Sequence, residues 1–296
     1  MNALDSFHWP SLTTTGPEPR WTGEAFALGQ TTSRVLAYEE SSSHWSDELT
    51  TLHESEAGRD HPIDVASRRL AVDSMRSLSD KRSVVILDVG CSSGFVLEDL
   101  QAHLPMAYLI GADYIRGPLE GLARRMPRLP LLQFDLRQCP LPDACVDGIT
   151  CLNVLEHIDD HAAAMRHLHR ILKPGGVAHL EVPAGPHLFD IYDEHLMHHR
   201  RYRLQELVPL ARDAGFRLKR ATHLGFIVFP AFWWVKKRNR SKLYLPDTEK
   251  KNLVAKQIRQ SRQNWLFTCA VRLETLLGRL TTFPVGIRCV VVLTKD

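Results

Sequence analysis

Four polar residues each follow a short apolar run, at intervals that predict one shared site. They are Asp88, Asp113, Asp135 and Asn153. In a parallel sheet the carboxyl ends of the strands meet at one edge, where open α/β folds bind their ligands. An acid after the second strand can accept hydrogen bonds from both ribose hydroxyls of a nucleoside, and one after the third can accept from the adenine amine. Each of these residues alone also suits an ordinary turn or helix cap, but four of them at the ends of successive strands favour a site.

A small-residue turn joins the first of these strands to a helix. The segment 84–94 reads VVILDVGCSSG, an apolar β-branched run followed by a turn bounded by Gly90 and Gly94. Such a turn lets backbone N–H groups approach a ligand closely, at the positive end of a helix dipole. Any tight strand-to-helix turn also favours glycine, so the turn is suggestive only together with the acids.

Histidines supply the candidate acid–base groups. His157 follows the fourth strand, and histidine has a suitable ordinary pKa for a general base, although it also fits a structural residue at the start of a helix. His195, His198 and His199 lie in an acidic loop further along the chain, and we take His157, His195 and His199 as catalytic candidates. The His-x-x-His spacing is loose for a metal site and shows no fixed distal ligand, so no metal is predicted.

Strands and helices alternate from residue 84 onwards, which predicts a doubly wound, mostly parallel sheet with its ligand crevice at the carboxyl ends. The expected strands span 84–88, 107–112, 131–134, 145–151 and 176–182, with helices over 95–104, 117–125 and 160–172. Arg34–Leu52 and Pro62–Leu78 are predicted helices that form a cap over the crevice or simply pack against the domain.

Composition and charge exclude several classes. The 296 residues are 44% hydrophobic and 24% charged, with a net charge of +3 that does not by itself indicate nucleic acid. The six cysteines form no CxxC pair, which favours reduced thiols and a cytoplasmic protein. No signal peptide is expected, because the N-terminus has no basic segment followed by an apolar core. No membrane span is expected, because no apolar run reaches about 18 residues.

The ordered motifs resemble class I, Rossmann-like, S-adenosylmethionine-dependent methyltransferases of the small-molecule type. LDVGCSSG (87–94), LIGADY (109–114) and QFDLRQCPLPDACVD (133–147) match the early motifs, and CLNVLEHIDD with RILKPGGVAHLEVP matches the late ones. The resemblance implies a seven-stranded sheet with strand six at Phe216–Leu224 and an antiparallel last strand at Ile287–Leu293. One departure is Ser92, where the family often has glycine.

The resemblance also implies roles for individual residues toward S-adenosyl-L-methionine. The turn would line the methionine part, Asp113 the ribose, and Asp135 with Leu136 the adenine, while Asn153 and Val154 would lie beside the sulfonium. The full predicted cofactor set is Asp88, Gly90, Cys91, Ser92, Gly94, Asp113, Tyr114, Asp135, Leu136, Asn153 and Val154.

The sequence divides into four predicted parts. These are a flexible N-terminal arm (1–32), a helical cap (33–80), the Rossmann-like domain (81–224 and 284–296) and a mainly helical insertion (225–283). The insertion begins with an aromatic run followed by a basic cluster. It is predicted to be a lid or a homodimer surface. A more specific alternative is peripheral membrane contact through 225–240.

The predicted function is methyl transfer from S-adenosylmethionine to a small-molecule acceptor, with an oxygen acceptor slightly favoured because His157 could act as its base. Two alternatives stay open. The basic stretch 236–272 would suit a methyltransferase acting on RNA or protein, although the chain shows no appended nucleic-acid module. Ser92 and the large insertion leave room for a cofactor-binding interaction protein without turnover.

Overall fold

The fold is built on two sheets. The computed structural model describes residues 4, 6–38, 58–79 and 83–296. The strands are β1 (Arg20–Trp21), β2 (Phe26–Leu28), β3 (Thr31–Ser33), β4 (Val35–Ala37), β5 (Val85–Val89), β6 (Tyr108–Asp113), β7 (Leu131–Gln133), β8 (Val146–Leu152), β9 (Leu172–Pro183), β10 (Arg217–Leu224) and β11 (Arg288–Thr294). The first three form a small antiparallel sheet, and the other eight form the main sheet in the order β10-β11-β9-β8-β5-β6-β7-β4.

The described helices cover the main sheet and carry the connections. They are α1 (Pro62–Met75), α2 (Phe95–His103), α3 (Arg116–Arg125), α4 (His161–Ile171), α5 (Ile191–His195), α6 (Leu204–Asp213), α7 (Phe229–Arg240), α8 (Asp247–Gln263) and α9 (Trp265–Leu277). Strand β5 is buried at all five positions, as its continuous apolar run predicts for a central strand covered on both faces.

The predicted doubly wound architecture is confirmed. The five parallel strands from β5 to β9 follow the alternation read from the sequence, and β11 pairs antiparallel with both β9 and β10. The seven-stranded count needs a correction. Val35–Ala37 adds an eighth strand, parallel to β7, because its backbone pairs with the otherwise open edge at Leu131–Gln133.

The N-terminal residues are folded onto the domain, so the prediction of a flexible arm over 1–32 is wrong for the described residues. Trp9, Trp21 and Phe26 are buried in the main core. The ring centroids of Trp9 and Trp21 lie 5.0 and 4.8 Å from that of Phe26. Thr22, Gly23 and Gly29, which are of the residue types that suggested disorder, instead lie in the two turns between the three short strands.

The predicted cap differs from the structure in two ways. Where a helix was expected from Arg34, Val35–Ala37 is a strand, and residues 39–57 of that prediction lie outside the described residues. Helix α1 packs on the face of the sheet against β8 and β9, because its buried side chains follow one stripe. Its Met75 Sδ would lie 2.8 Å from a Cβ placed at Gly148. Helix α1 therefore covers the sheet face.

The insertion between β10 and β11 contains α7, α8 and α9 and shares a small core with α1. That core joins Ile63 and Ala66 to Val228 and Val271. Glu274 of α9 is buried and accepts hydrogen bonds from the backbone N–H groups of Gly225 (2.6 Å) and Ile227 (2.9 Å). No described helix is long and apolar enough to cross a membrane.

Candidate functional site

The turn after β5 has the backbone conformation that its small residues allow. Gly90 and Gly94 have φ of 74° and 76°, and Gly94 directly precedes α2. Ser92 also lies in the left-handed region, at φ 45°. That conformation costs a non-glycine residue about 1–2 kcal/mol. The hydrogen bond from the Ser92 N–H to Asp113 Oδ2 (2.8 Å) offsets part of this cost, so serine is accommodated where the family often has glycine.

Asp113 at the end of β6 joins the turn to the second strand. Its Oδ2 accepts from Ser92, and its Oδ1 accepts from the backbone N–H of Ile115 at 2.9 Å. Two bonds from fixed backbone donors orient the carboxylate, and an ionised carboxylate has about four acceptor sites. The group is therefore held in a fixed orientation beside the turn.

Asp88 has a buried position within β5. The Thr150 hydroxyl donates to its Oδ1 at 2.6 Å, and Oδ2 has no hydrogen-bond partner among the described residues. Burial raises the pKa of Asp88 to about 7, although the bond from Thr150 lowers it. Asp88 thus lies beneath the turn, tying β5 to the next strand β8.

Asp135 lies after β7 as predicted, but its carboxylate is already paired. The backbone N–H of Arg137 donates to Oδ1 at 2.8 Å, and the Arg137 guanidinium donates to Oδ2 at 2.8 and 2.6 Å. Leu136 beside it is buried, and the carbonyl of Tyr114 accepts a hydrogen bond from Gln133. An adenine amine would therefore share Asp135 with an arginine that the sequence analysis did not weigh.

The turn after β8 touches the glycine turn directly. A Cβ at Gly90 would lie 2.3 Å from Val154 Cγ2, so only glycine fits there. Asn153 has φ 54°, a conformation that asparagine tolerates, and its N–H donates to the Glu181 carbonyl at 2.8 Å. Cys91 of the glycine turn is buried. The predicted residues on β5, β6 and β8 are thus brought to one edge of the sheet.

Three side chains lie close together next to the turn that follows β8. Glu156, His157 and His198, which we call the histidine cluster, have ligating atoms all within 4.8 Å of one another. The rings of His157 and His198 are 4.7 Å apart, edge to face. The 3₁₀ turn Leu155–His157 is anchored by Tyr202, whose hydroxyl donates to the Leu155 carbonyl at 3.1 Å.

The other two predicted catalytic histidines, His195 and His199, are not members of the histidine cluster. His199 is exposed, and its backbone N–H donates to the Glu156 carbonyl at 2.8 Å. His195 ends the short helix α5. The ring that contacts His157 is that of His198, which the sequence analysis noted only as a weak metal pattern.

A buried charge network, which the sequence analysis missed, supports the cluster. Asp193 Oδ1 accepts from His198 Nδ1 and from Arg201 at 2.8 Å each, and its Oδ2 accepts from Lys236 at 3.0 Å. Lys236 also donates to Asp190 at 2.6 Å. Burial alone would raise the pKa of Asp193, but the bond from His198 and the two cations hold it well below its usual range.

Part of the chain matches a known protein family. Residues 87–180 match the family model described as "Methyltransferase domain". This segment is therefore similar to methyltransferase domains in sequence, and it contains most of the parallel strands of the main sheet. The matched residues run from β5 to β9 and include the glycine turn, Asp113 and the histidine cluster's Glu156 and His157.

Two curated relatives are similar to this chain in sequence. Malonyl-[acyl-carrier protein] O-methyltransferase of Dechloromonas aromatica is 30% identical over 53% of this chain and 62% of its own length. Trans-aconitate 2-methyltransferase of Azoarcus is 31% identical over 50% of this chain and 55% of its own. The chain therefore spans less than two thirds of either relative.

A solved structure shows the same fold at lower identity. Phosphoethanolamine N-methyltransferase 2 of Haemonchus contortus, in complex with S-adenosyl-L-methionine, superposes with a TM-score of 0.56 at 15% identity. The match covers 86% of this chain and 58% of the other.

Proposed function

We propose that this protein transfers the methyl group of S-adenosyl-L-methionine to an oxygen atom of a small-molecule acceptor. The observation that carries the proposal is the contact between Val154 and Gly90, because it places the histidine cluster next to the glycine turn. A cofactor whose methionine part lies along residues 90–94 would present its methyl group to Asn153, Val154 and the cluster.

The cofactor roles follow from the same arrangement. We assign the ribose hydroxyls to Asp113, whose carboxylate is oriented beside the glycine turn by the backbone N–H groups of Ser92 and Ile115. The adenine would lie against Leu136, with Asp135 and Arg137 at its amine. Cys91, Ser92 and Tyr114 line the turn and the loop after β6, and Asp88 supports the turn from below.

The chemistry needs alignment more than covalent assistance. In the transfer, the acceptor oxygen forms a bond to the methyl carbon as the carbon–sulfur bond breaks, and the electron pair stays on sulfur as a neutral thioether. The reacting atoms must be held about 3–3.5 Å apart with water excluded. A hydroxyl acceptor must also lose its proton, and we place that loss at the histidine cluster. The name of the Dechloromonas relative, an O-methyltransferase, supports an oxygen acceptor.

The test measures formation of the demethylated cofactor with panels of hydroxyl, carboxyl and amine acceptors. With a productive hydroxyl acceptor, His157→Gln should lower kcat by about 100-fold or more, the usual contribution of positioned proton transfer. The matched control is His103→Gln, because His103 ends α2 at the opposite edge of the sheet.

Unchanged turnover in His157→Gln would contradict the role of the cluster. Methyl label recovered only in RNA or protein would contradict a small-molecule acceptor. The exposed Trp233 and Trp234 lie within the segment 225–240, for which peripheral membrane contact stays a prediction, as does a homodimer.

A further inference from the structure

The carboxyl group of Glu156 is buried in the core of the histidine cluster. The residue is fully buried, and neither carboxylate oxygen has a hydrogen-bond partner within the described part of the chain. Burying a carboxyl without partners costs several kcal/mol in most contexts. Such a group is either kept protonated or completed by a cation.

The two neighbouring imidazoles point to a cation. One ligating atom from each of Glu156, His157 and His198 lies within 4.8 Å of the others, so a single ion could contact all three after small side-chain movements. One carboxylate and two imidazoles are the donor set of several zinc sites, in which an open position remains for a reactant. Packing alone does not explain why two imidazoles lie beside a buried carboxyl group that has no hydrogen-bond partner among the described residues.

His198 is held in the tautomer that a metal ligand requires. Its Nδ1 lies 2.8 Å from Asp193 Oδ1. Because Asp193 is ionised and can only accept, the proton must be on Nδ1, which leaves the lone pair on Nε2. A ligating histidine ordinarily donates its other N–H to a carboxylate, and this partner fixes the ring orientation.

The supporting carboxylate is itself immobile. Asp193 is fully buried and receives donors from Arg201 and Lys236 as well as from His198. These two cations and the two acids Asp190 and Asp193 balance in charge, so the network would not repel an added divalent ion. The carboxylate that orients His198 is therefore itself held in place, as the supporting residues of metal sites must be.

We propose that Glu156, His157 and His198 bind a divalent transition-metal ion of the zinc type, which would act on the methyl acceptor. The inference rests on the proposed function and specifies how the cluster handles the acceptor proton. A bound ion lowers the pKa of a coordinated hydroxyl, as zinc lowers that of water to about 7. With the ion bound, an acceptor hydroxyl would lose its proton to solvent more readily, and its oxygen would form the bond to the methyl carbon as the carbon–sulfur bond breaks.

The experiment measures metal content and not activity. Untagged wild-type protein is stripped with a chelator, and Zn²⁺ or Co²⁺ is titrated back under calorimetry, with Co²⁺ absorption reporting the ligand set. We expect one equivalent per chain in the wild type and in His103→Gln. Glu156→Gln and His198→Gln should each lose at least about tenfold in affinity, by analogy with losses from altered metal shells. Circular dichroism verifies that each variant is folded. If one of the two variants does not fold, the other still tests the site.

Two results would overturn the metal site. One is a folded, stripped wild-type protein that takes up neither ion. The other is uptake that is unchanged in both Glu156→Gln and His198→Gln, which would place the ion elsewhere. The same samples are titrated with S-adenosylmethionine. Cofactor binding without metal binding refutes this inference alone, whereas metal binding without cofactor binding refutes the proposed function.

Discussion

Replacing Lys236 with methionine should lower the free energy of unfolding by about 3–5 kcal/mol, the usual cost of removing one partner from a buried ion pair. The ammonium is buried and donates to both Asp190 (2.6 Å) and Asp193 (3.0 Å). Without it, two buried carboxylates face each other with only the Arg201 cation nearby. Urea denaturation followed by fluorescence measures the change.

The next residue provides a matched control. Lys237 is exposed and contacts the ring of Trp233 at 5.1 Å, so Lys237→Met should cost less than about 1 kcal/mol. The double variant Lys236→Met with Asp190→Asn should recover part of the loss, because it removes one unpaired charge. A Lys236→Met protein as stable as the wild type would show that the insertion is not held to the α5 loop by this network.

Replacing Asp113 with alanine should weaken binding of S-adenosylmethionine by about 100-fold or more. Two hydrogen bonds from ribose hydroxyls to a charged acceptor are each worth about 1.5–3 kcal/mol. The same change also frees the Ser92 N–H, which loses the bond that holds its left-handed conformation. Isothermal titration calorimetry measures the dissociation constant.

Glu120→Ala is the comparison for this variant, because Glu120 is an exposed acid on α3 that pairs only with Arg116 among its described salt bridges. Its affinity for the cofactor should equal that of the wild type. If Asp113→Ala binds the cofactor as well as Glu120→Ala does, the ribose is not held at the end of β6.

The sheet and its carboxyl edge could be predicted because they depend on local signals. Continuous apolar runs mark buried strands, and Asp113 and Asn153 each fall where such a run ends. The short strand at Val35–Ala37 could not be predicted in the same way. Three residues carry no periodicity, and only the open edge of β7 makes them a strand.

The buried network was not predictable, because its members are distant in sequence. Lys236 belongs to the run KKRNR, which is typical of a solvated face. Within α7, however, Lys236 and Asn239 are buried while Lys237, Arg238 and Arg240 are exposed, a helical i, i+3 pattern. That pattern could have indicated an inward lysine, but its partner Asp190 lies 46 residues away. The pairing of His198 with His157 depends on the same long-range packing.

A crystal structure of the complex with S-adenosylhomocysteine tests the account most directly. We expect the ribose hydroxyls within hydrogen-bonding distance of Asp113, the adenine against Leu136, and the sulfur beside Val154 and facing the histidine cluster. A cofactor bound with its ribose away from Asp113, or with its sulfur on the far side of the glycine turn from Glu156 and His157, would contradict the account.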